Sequence, residues 1–235
     1  CGTAGIIPIS DIDKEMSPDL RVIAVGGRTG RDGLKGATFS SMALDTDSHE
    51  EDQQAVQIGN PIEEKKAADF VIEARKESLI EFITDCGAGG FSSAAGEMLS
   101  EVGGNLYLER APLKEPGMTS WEIFLSESQE RMVLAVKEEF LPRLKELADI
   151  YETELTEIGD SDDSGILKVW HNGELVCELD NSRLHDAPIR KLKSSFEREE
   201  IQKYEWSQAD LGDDLLNVLG DFGIGSREPI IREYD

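Results

Sequence analysis

The sequence predicts an α+β fold in which a mixed sheet is covered by helices. Strand-like and helical segments alternate along much of the chain, and a hairpin pattern, ILKVWHNGELVCEL, follows at residues 166–179. Alternating apolar residues there flank Asn172-Gly173, a dipeptide that suits a type I′ turn. Antiparallel pairs at the end of the alternation favour an α+β sandwich over a doubly wound parallel sheet.

The remaining elements follow from hydrophobic periodicity, taken in chain order. Short apolar runs predict strands at residues 19–25, 80–84 and 131–136. Helical spacing of apolar residues predicts helices at residues 63–80, 92–102, 120–125, 138–151 and 211–219. We expect Ser92 or Ser93 to be the N-cap of the second of these helices.

Composition limits the classes of protein to which the chain can belong. Its 235 residues, 39% of them hydrophobic, suffice for one large or two small cores. No segment reaches the ~20 apolar residues of a membrane span, and the three scattered cysteines predict a reducing, cytoplasmic setting. A net charge of −25 argues against nucleic-acid binding and is typical of a soluble protein or of an acidic proteome.

One acidic residue, Asp85, stands directly before a run of small residues in TDCGAGGFSS, where a strand meets a helix. Helix N-termini present free N–H groups, which attract anions. A carboxylate there would repel an anion unless a divalent cation lay between them, and Mg²⁺ commonly binds through one or two carboxylates and substrate phosphates. Asp85 is therefore a candidate metal ligand, with capping of the following turn as the alternative.

Two further polar stretches are candidates for ligand binding. The run GGRTGRDG, from Gly26 to Gly33, could cradle a phosphate through its backbone N–H groups, or be a tight loop with a local cluster of ion pairs. The run LSESQERM, from Leu125 to Met132, lies between apolar segments, so it is either a recognition loop or a surface turn.

Four motifs, GGRTGRDGLKGATFSS, VQIGNP, TDCGAGGFSS and LSESQERM, occur here in one order, and the end of the chain, DLLNVLGDFGIGSREPIIREYD, adds a fifth. Together they closely resemble the phosphoribosylformylglycinamidine synthase family of purine biosynthesis. The resemblance implies a domain like the C-terminal domain of aminoimidazole ribonucleotide synthetase. It also implies an ATP- and Mg²⁺-dependent ligase that amidates formylglycinamide ribonucleotide through an iminophosphate, which ammonia from glutamine displaces.

The resemblance also assigns roles to single residues. Asp85 matches a Mg²⁺-ligating aspartate of the family, although Thr84 and Cys86 replace its usual neighbours. Gln57 in VQIGNP matches a substrate-binding glutamine. Three consecutive residues match the substrate-binding Glu-Ser-Gln of the family: Glu127, Ser128 and Gln129.

The family's His-Asn-His-Pro-Ser motif is missing, so the resemblance implies an internal fragment without catalytic histidines. We expect residues 1–18 to end a preceding segment, residues 19–190 to form the domain, and residues 191–235 to lead into a second ATP-binding half. The implied partners are a glutaminase subunit or domain and a small accessory subunit. Alternatives are a non-catalytic scaffold that docks those subunits, or another synthetase or kinase of the superfamily.

Overall fold

The computed structural model describes residues 16–34, 59–182 and 211–221, together with Pro8, Leu192 and residues 224–226. The chain divides into two compact units, residues 1–188 and 189–235. The sheet and the helices packed on it belong to the first unit. In the second unit, the helix α5 (Leu211–Gly220) exposes several apolar side chains.

The first unit contains seven strands and four helices among its described residues. The strands are β1 (Arg21–Gly26), β2 (Phe82–Asp85), β3 (Gly104–Tyr107), β4 (Arg131–Val136), β5 (Leu155–Ser161), β6 (Ile166–His171) and β7 (Glu174–Asp180). The helices are α1 (Pro61–Lys76), α2 (Gly90–Met98), α3 (Ser120–Leu125) and α4 (Leu141–Tyr151). Short 3₁₀ turns at Leu108–Arg110 and Glu138–Phe140 follow β3 and β4.

The strands form one mixed sheet in the order β2-β4-β1-β5-β3-β6-β7. Neighbouring strands run antiparallel except β3 and β6, which pair in parallel. Strand β1 pairs with β4 on one side and with β5 on the other. The predicted class, a mixed sheet covered by helices, is confirmed.

Each face of the sheet carries its own hydrophobic core, because side chains alternate along the central strands. From β1, Val22 and Ala24 point to the core that contains Phe91 of α2. Ile23 and Val25 point to the opposite core, which contains Phe70 of α1 and the buried leucines of α4. Two layers of helices therefore hold the central strands between them, which makes the ends of those strands rigid supports for a site.

Two predicted helix boundaries were wrong. Helix α2 begins at Gly90, with Gly89 as its N-cap in the left-handed conformation, rather than at a serine. The Ser92 hydroxyl donates to the Gly89 carbonyl 2.7 Å away instead of capping an N–H group. Helix α1 begins at Pro61 and ends at Lys76, because Asn60 caps it and Ser78 adopts a positive φ of 56° shortly after its end.

The predicted hairpin is present, with Asn172 at φ 52° and Gly173 at φ 81° between β6 and β7. Strands β3 and β5 were not predicted. Strand β3 has four residues, and β5 reads LTEIGDS, so neither carries a clear apolar run. Both exist because their backbones complete the ladder between β1 and β6.

No helix in the described part of the chain is long and apolar enough to cross a membrane.

Candidate functional site

Three segments meet where the central strands end. Strand β1 ends at Gly26, β2 ends at Asp85, and β4 begins at Arg131, all at one edge of the sheet. The chain beyond each strand is tied to its neighbour, since Gly27 N donates to Glu130 O over 2.8 Å and Cys86 N to Arg131 O over 3.2 Å. The sheet thus brings together three motifs that are far apart in the sequence.

The loop Ser126–Glu130, which we call the SESQE loop, is partly buried and is therefore no simple surface turn. Ser126 and Ser128 have no exposed surface, whereas Glu127 is half-buried and Gln129 is exposed. The Ser128 hydroxyl accepts from Gly30 N at 2.8 Å and donates to the Asp32 carboxylate. Its hydroxyl is thus engaged within the protein, and the Gln129 side chain lies at the surface, where its Nε2 donates to Glu127 O over 3.1 Å.

The glycine-rich run is hydrogen-bonded to the SESQE loop. Its N–H groups at Gly27, Thr29 and Gly30 donate to Glu130 O, Pro112 O and the Ser128 hydroxyl, so none of the three is left for a phosphate. Its charged side chains pair with other parts of the fold rather than with one another. The pairs are Arg28 with Glu154 at 2.7 Å, Arg31 with Glu122 at 2.7 Å and with Glu115 at 2.9 Å, and Asp32 with Lys114 at 2.8 Å.

The small residues after Asp85 serve close packing. A Cβ at Gly90 would lie 1.9 Å from the Ser126 carbonyl oxygen, so only glycine permits the SESQE loop to cross the start of α2. A Cβ at Gly87 would lie 2.8 Å from the Asp85 carboxylate. Glu127 completes the junction, since its Oε1 accepts from Gly89 N over 2.9 Å at the positive end of the helix dipole.

Asp85 is exposed and faces a cleft of about 310 Å³. Gln129 and Arg131 line the same cleft, as do the carboxylates of Glu64 and Glu130. Of the predicted site residues, Asp85 and Gln129 therefore share one cavity, whereas Glu127 and Ser128 lie behind it, against the helix and the glycine-rich run. An anionic ligand in this cleft would be repelled by the carboxylates of Asp85, Glu64 and Glu130.

Gln57 lies outside the described residues. Asn60, three residues later in the same motif, is held against the SESQE loop, because Asn60 N donates to Glu130 Oε1 over 2.8 Å. Glu130 itself adopts a positive φ of 59°, which is uncommon for a residue other than glycine. The motif VQIGNP therefore ends at the rim of the cleft that Asp85 and Gln129 share.

Arg131 is a functional candidate that the sequence reasoning missed. Its side chain is only 4% exposed, and its guanidinium donates to Ser128 O at 2.8 Å, to the Thr29 hydroxyl at 2.9 Å and to Ser126 O. It also stacks over the Phe91 ring, 4.7 Å from the ring centre. Burial lowers the pKa of this guanidinium from its ordinary value. Its place at the end of the ESQER run was the available signal.

Next to Asp85, the Cys86 thiol is buried, and burial raises its pKa to about 11. In the metal-free protein such a thiol stays protonated at neutral pH, and the thiolate is the more nucleophilic form.

The donors present fit a magnesium ion that takes most of its oxygens from elsewhere. No group of three or more His, Cys, Asp or Glu side chains that could hold a metal occurs within the described residues. Asp85 supplies one exposed carboxylate, and the absence of a side chain at Gly87 leaves room around it. One or two carboxylates completed by phosphate oxygens and water is a usual environment of Mg²⁺.

Comparison with known proteins gives relatives over nearly the whole chain. Phosphoribosylformylglycinamidine synthase subunit PurL from Picrophilus torridus is 34% identical over 99% of this chain, and the alignment covers 32% of that protein. PurL from Pyrococcus furiosus is 39% identical over 93% of this chain and 31% of its own length. The chain thus spans about a third of the length of these relatives.

Three solved structures from Thermotoga maritima have a similar fold. PurL complexed with FGAR superimposes with a TM-score of 0.68 and 30% identity, over 82% of this chain and 32% of that one. PurL complexed with ATP superimposes with a TM-score of 0.64 and 27% identity, over 87% of this chain and 32% of that one. PurLQS superimposes with a TM-score of 0.64 and 28% identity, over 85% of this chain and 32% of that one.

A comparison with protein-family models also matches the part of the chain that contains the sheet. AIR synthase related protein, C-terminal domain, matches residues 17–172, which include all seven strands except β7. The matched range contains Asp85, the SESQE loop and Arg131. On this evidence the chain belongs to the AIR synthase related protein, C-terminal domain family.

Proposed function

We propose that this chain is part of an ATP-dependent C–N ligase that converts formylglycinamide ribonucleotide to the amidine in purine biosynthesis. The observation that carries the proposal is that one cleft brings together Asp85 and Gln129, which match family site residues. The likeness to PurL complexed with FGAR, at 30% identity, supports the choice of substrate. The likeness to PurL complexed with ATP supports the choice of phosphoryl donor.

The residues of the chain divide the work as follows. Gln129 is exposed at the cleft and carries an amide that can both donate and accept, so it would hold the ribonucleotide. Gln57, which lies outside the described residues, would contribute to substrate binding as the family resemblance implies. Glu127 and Ser128 would act mainly by keeping the loop against Gly89 and Gly30.

Asp85 would hold Mg²⁺ at the cleft, and the cation would supply charge neutralisation for the transferred phosphoryl group. Because Glu64 and Glu130 also line the cleft, phosphates would be repelled without such a cation. Asp85 ends the edge strand β2, which pairs with β4, a strand buried on both faces of the sheet.

The cleft is one wall of the proposed site. Phosphoryl transfer depends almost wholly on positioning and charge stabilisation, so a single wall should turn over nothing alone. We infer that the other wall comes from the two thirds of the relatives' length that this chain does not cover. The likeness to PurLQS makes a glutaminase subunit or domain, with a small accessory subunit, the partners we expect. The cytoplasm is the compartment we expect.

The test replaces the corresponding third of Thermotoga maritima PurL with this chain and assays the chimera. With formylglycinamide ribonucleotide, ATP, Mg²⁺ and ammonium, we expect amidine and ADP in equal amounts. Asp85→Asn should lower kcat/KM about 100-fold or more, because the substitution removes the charge that holds the cation. Asp163→Asn, at an exposed carboxylate of the β5–β6 turn, is the matched control and should leave kcat/KM unchanged.

A second measurement does not depend on activity. Titrating the 235-residue chain with Mn²⁺ and ATP should broaden the amide NMR signals of residues 84–89, and Asp85→Asn should abolish the broadening. A chimera that binds its partner subunits but makes no amidine would support the scaffold alternative instead. ADP release without ammonium consumption would support a kinase.

A further inference from the structure

A single buried guanidinium connects the SESQE loop, the glycine-rich run and the start of helix α2. Arg131 donates to two carbonyls of the SESQE loop, at Ser126 and Ser128, and to the Thr29 hydroxyl of the glycine-rich run. Its flat face lies over the ring of Phe91, which is the second residue of α2. One side chain thus joins the loop that carries Gln129 at the cleft to two other segments of the chain.

Burying a charged side chain costs free energy unless hydrogen bonds or an ion pair compensate for the lost hydration. Arg131 is 4% exposed, and no carboxylate forms an ion pair with it among the residues that the structure describes. Neutral acceptors hold it, and two of them are main-chain carbonyls of one short loop. A planar fork with donors in several directions is the only side chain that can satisfy such acceptors together.

The held carbonyls belong to the inward-facing residues of the SESQE loop, Ser126 and Ser128. The residues between and after them, Glu127 and Gln129, point to the helix end and to the cleft. Because residues alternate along this short loop, fixing the serine carbonyls fixes the direction of Gln129. Glu130, at positive φ, then bends the chain into β4.

We propose that Arg131 is a positioning residue for the substrate: it holds the SESQE loop so that Gln129 stands in its binding geometry. The inference deepens the proposed function and rests on it. Arg131 borders the cleft but is only 4% exposed, and its described hydrogen bonds go to the loop and to Thr29. Its effect is therefore on the affinity for the ribonucleotide rather than for ATP.

The kinetic test uses the chimeric enzyme described above. Arg131→Met keeps the length and the apolar stem but removes every donor, and should raise KM for formylglycinamide ribonucleotide about 10- to 100-fold. KM for ATP should change less than about 2-fold, a contrast that a general loss of folded protein would not produce. Arg131→Lys should lie between, because an ammonium cannot reach all three acceptors.

Arg143→Met is the matched control. Arg143 also makes three hydrogen bonds, to Glu77 and Glu146, but on the exposed side of α4. Its replacement should leave both KM values unchanged. Equal changes in the two KM values of Arg131→Met, or an unchanged KM for the ribonucleotide, would overturn the proposal.

Hydrogen exchange on the 235-residue chain keeps the proposal testable whether or not the chimera is active. In Thr29→Val, which removes one acceptor without emptying the core, amides of residues 126–131 and 27–30 should exchange about 10-fold faster. Amides of α4 should exchange as before. Unchanged exchange in the SESQE loop would refute the positioning role, whereas faster exchange with an inactive wild-type chimera would refute only the proposed function.

Discussion

Among the short connections of this domain that place a residue other than glycine at positive φ, two do so for different reasons. At the hairpin between β6 and β7, Asn172 has φ 52° and the turn is exposed. At the SESQE loop, Glu130 has φ 59° and the adjoining Ser128 and Arg131 are buried. Asparagine tolerates this conformation through its own local hydrogen bonding, whereas glutamate needs surrounding structure to hold it there.

The hairpin has a turn dipeptide of its own and one distant hydrogen bond, from Asn172 N to Glu109 Oε2 over 3.3 Å, whereas several distant segments bond to the SESQE loop. Gly27, Gly30, Asn60 and Gly89 all bond to the loop, and none is closer than 38 residues in sequence to its partner. This difference predicts where substitutions matter. Removing a remote contact should disrupt the SESQE loop, whereas the hairpin should be most sensitive to changes in its own turn residues.

The largest effect should come from Gly90→Ala. The new Cβ would lie 1.9 Å from the Ser126 carbonyl, and the backbone at Gly90 has a positive φ of 55°. Overpacking and left-handed strain together should lower the free energy of unfolding by roughly 2 to 5 kcal/mol. Urea unfolding of the 235-residue chain, followed by circular dichroism, measures this loss; a loss below about 1 kcal/mol would mean that the loop yields easily.

The two cysteines of these regions should differ at alkaline pH. Burial raises the pKa of Cys86, beneath the SESQE loop, from 9.0 to about 11, and raises that of the half-exposed Cys177 in β7 as well. Between pH 9 and 11 the unfolded chain releases the Cys86 proton while the folded chain retains it. Stability that is fully present below pH 9 should therefore decrease by about 2 kcal/mol as the pH rises to 11.

Comparison of wild type with Cys86→Ala at each pH isolates this effect from the titration of lysines and tyrosines. The difference between the two unfolding free energies should shrink from pH 9 to 11, and the same comparison with Cys177→Ala should give a smaller change. At pH 8, peptide mapping after iodoacetamide treatment should find Cys177 alkylated before Cys86. The reverse order would contradict the burial of the loop.

The smallest effect should come from Gly173→Ala in the hairpin. This glycine has φ 81°, but nothing lies within 4 Å of a Cβ placed there. Only conformational strain remains, so unfolding should become easier by about 1 kcal/mol, without any change at the cleft. The Mn²⁺ response of residues 84–89 should be the same as in wild type; a changed response would show that the two regions are coupled.

Sequence reasoning reached most of this fold. The apolar runs of β1, β2 and β4, the spacing in α1 and α4, and the hairpin dipeptide each predicted an element that is present. Strands β3 and β5 escaped it, since GNLY and LTEIGDS show no apolar run of their own. They are strands because a neighbour on each side accepts their hydrogen bonds, and pairing partners are not visible in a local window.

The site divides in the same way. The residues and their order were enough to place four site candidates in motifs: Asp85, Glu127, Ser128 and Gln129. The binding roles of these residues stay predictions. That Asp85 and Gln129 share a cleft while Ser128 turns inward to Gly30 could not. Neither could the role of Arg131, because an arginine in a polar run looks solvated until its acceptors are known.

The sequence by itself determined the alternation of strands and helices, the type I′ turn and the membership of motifs in one family pattern. The first two depend on side-chain periodicity and on backbone preferences that act within a few residues, whereas the third is a resemblance between whole motifs. Only the tertiary structure decided that a glycine loop is a support for another loop, and that Arg131 lies beneath the cleft. Those outcomes depend on which carbonyls and rings burial brings within 3 to 5 Å of each other across about 40 to 100 residues of chain.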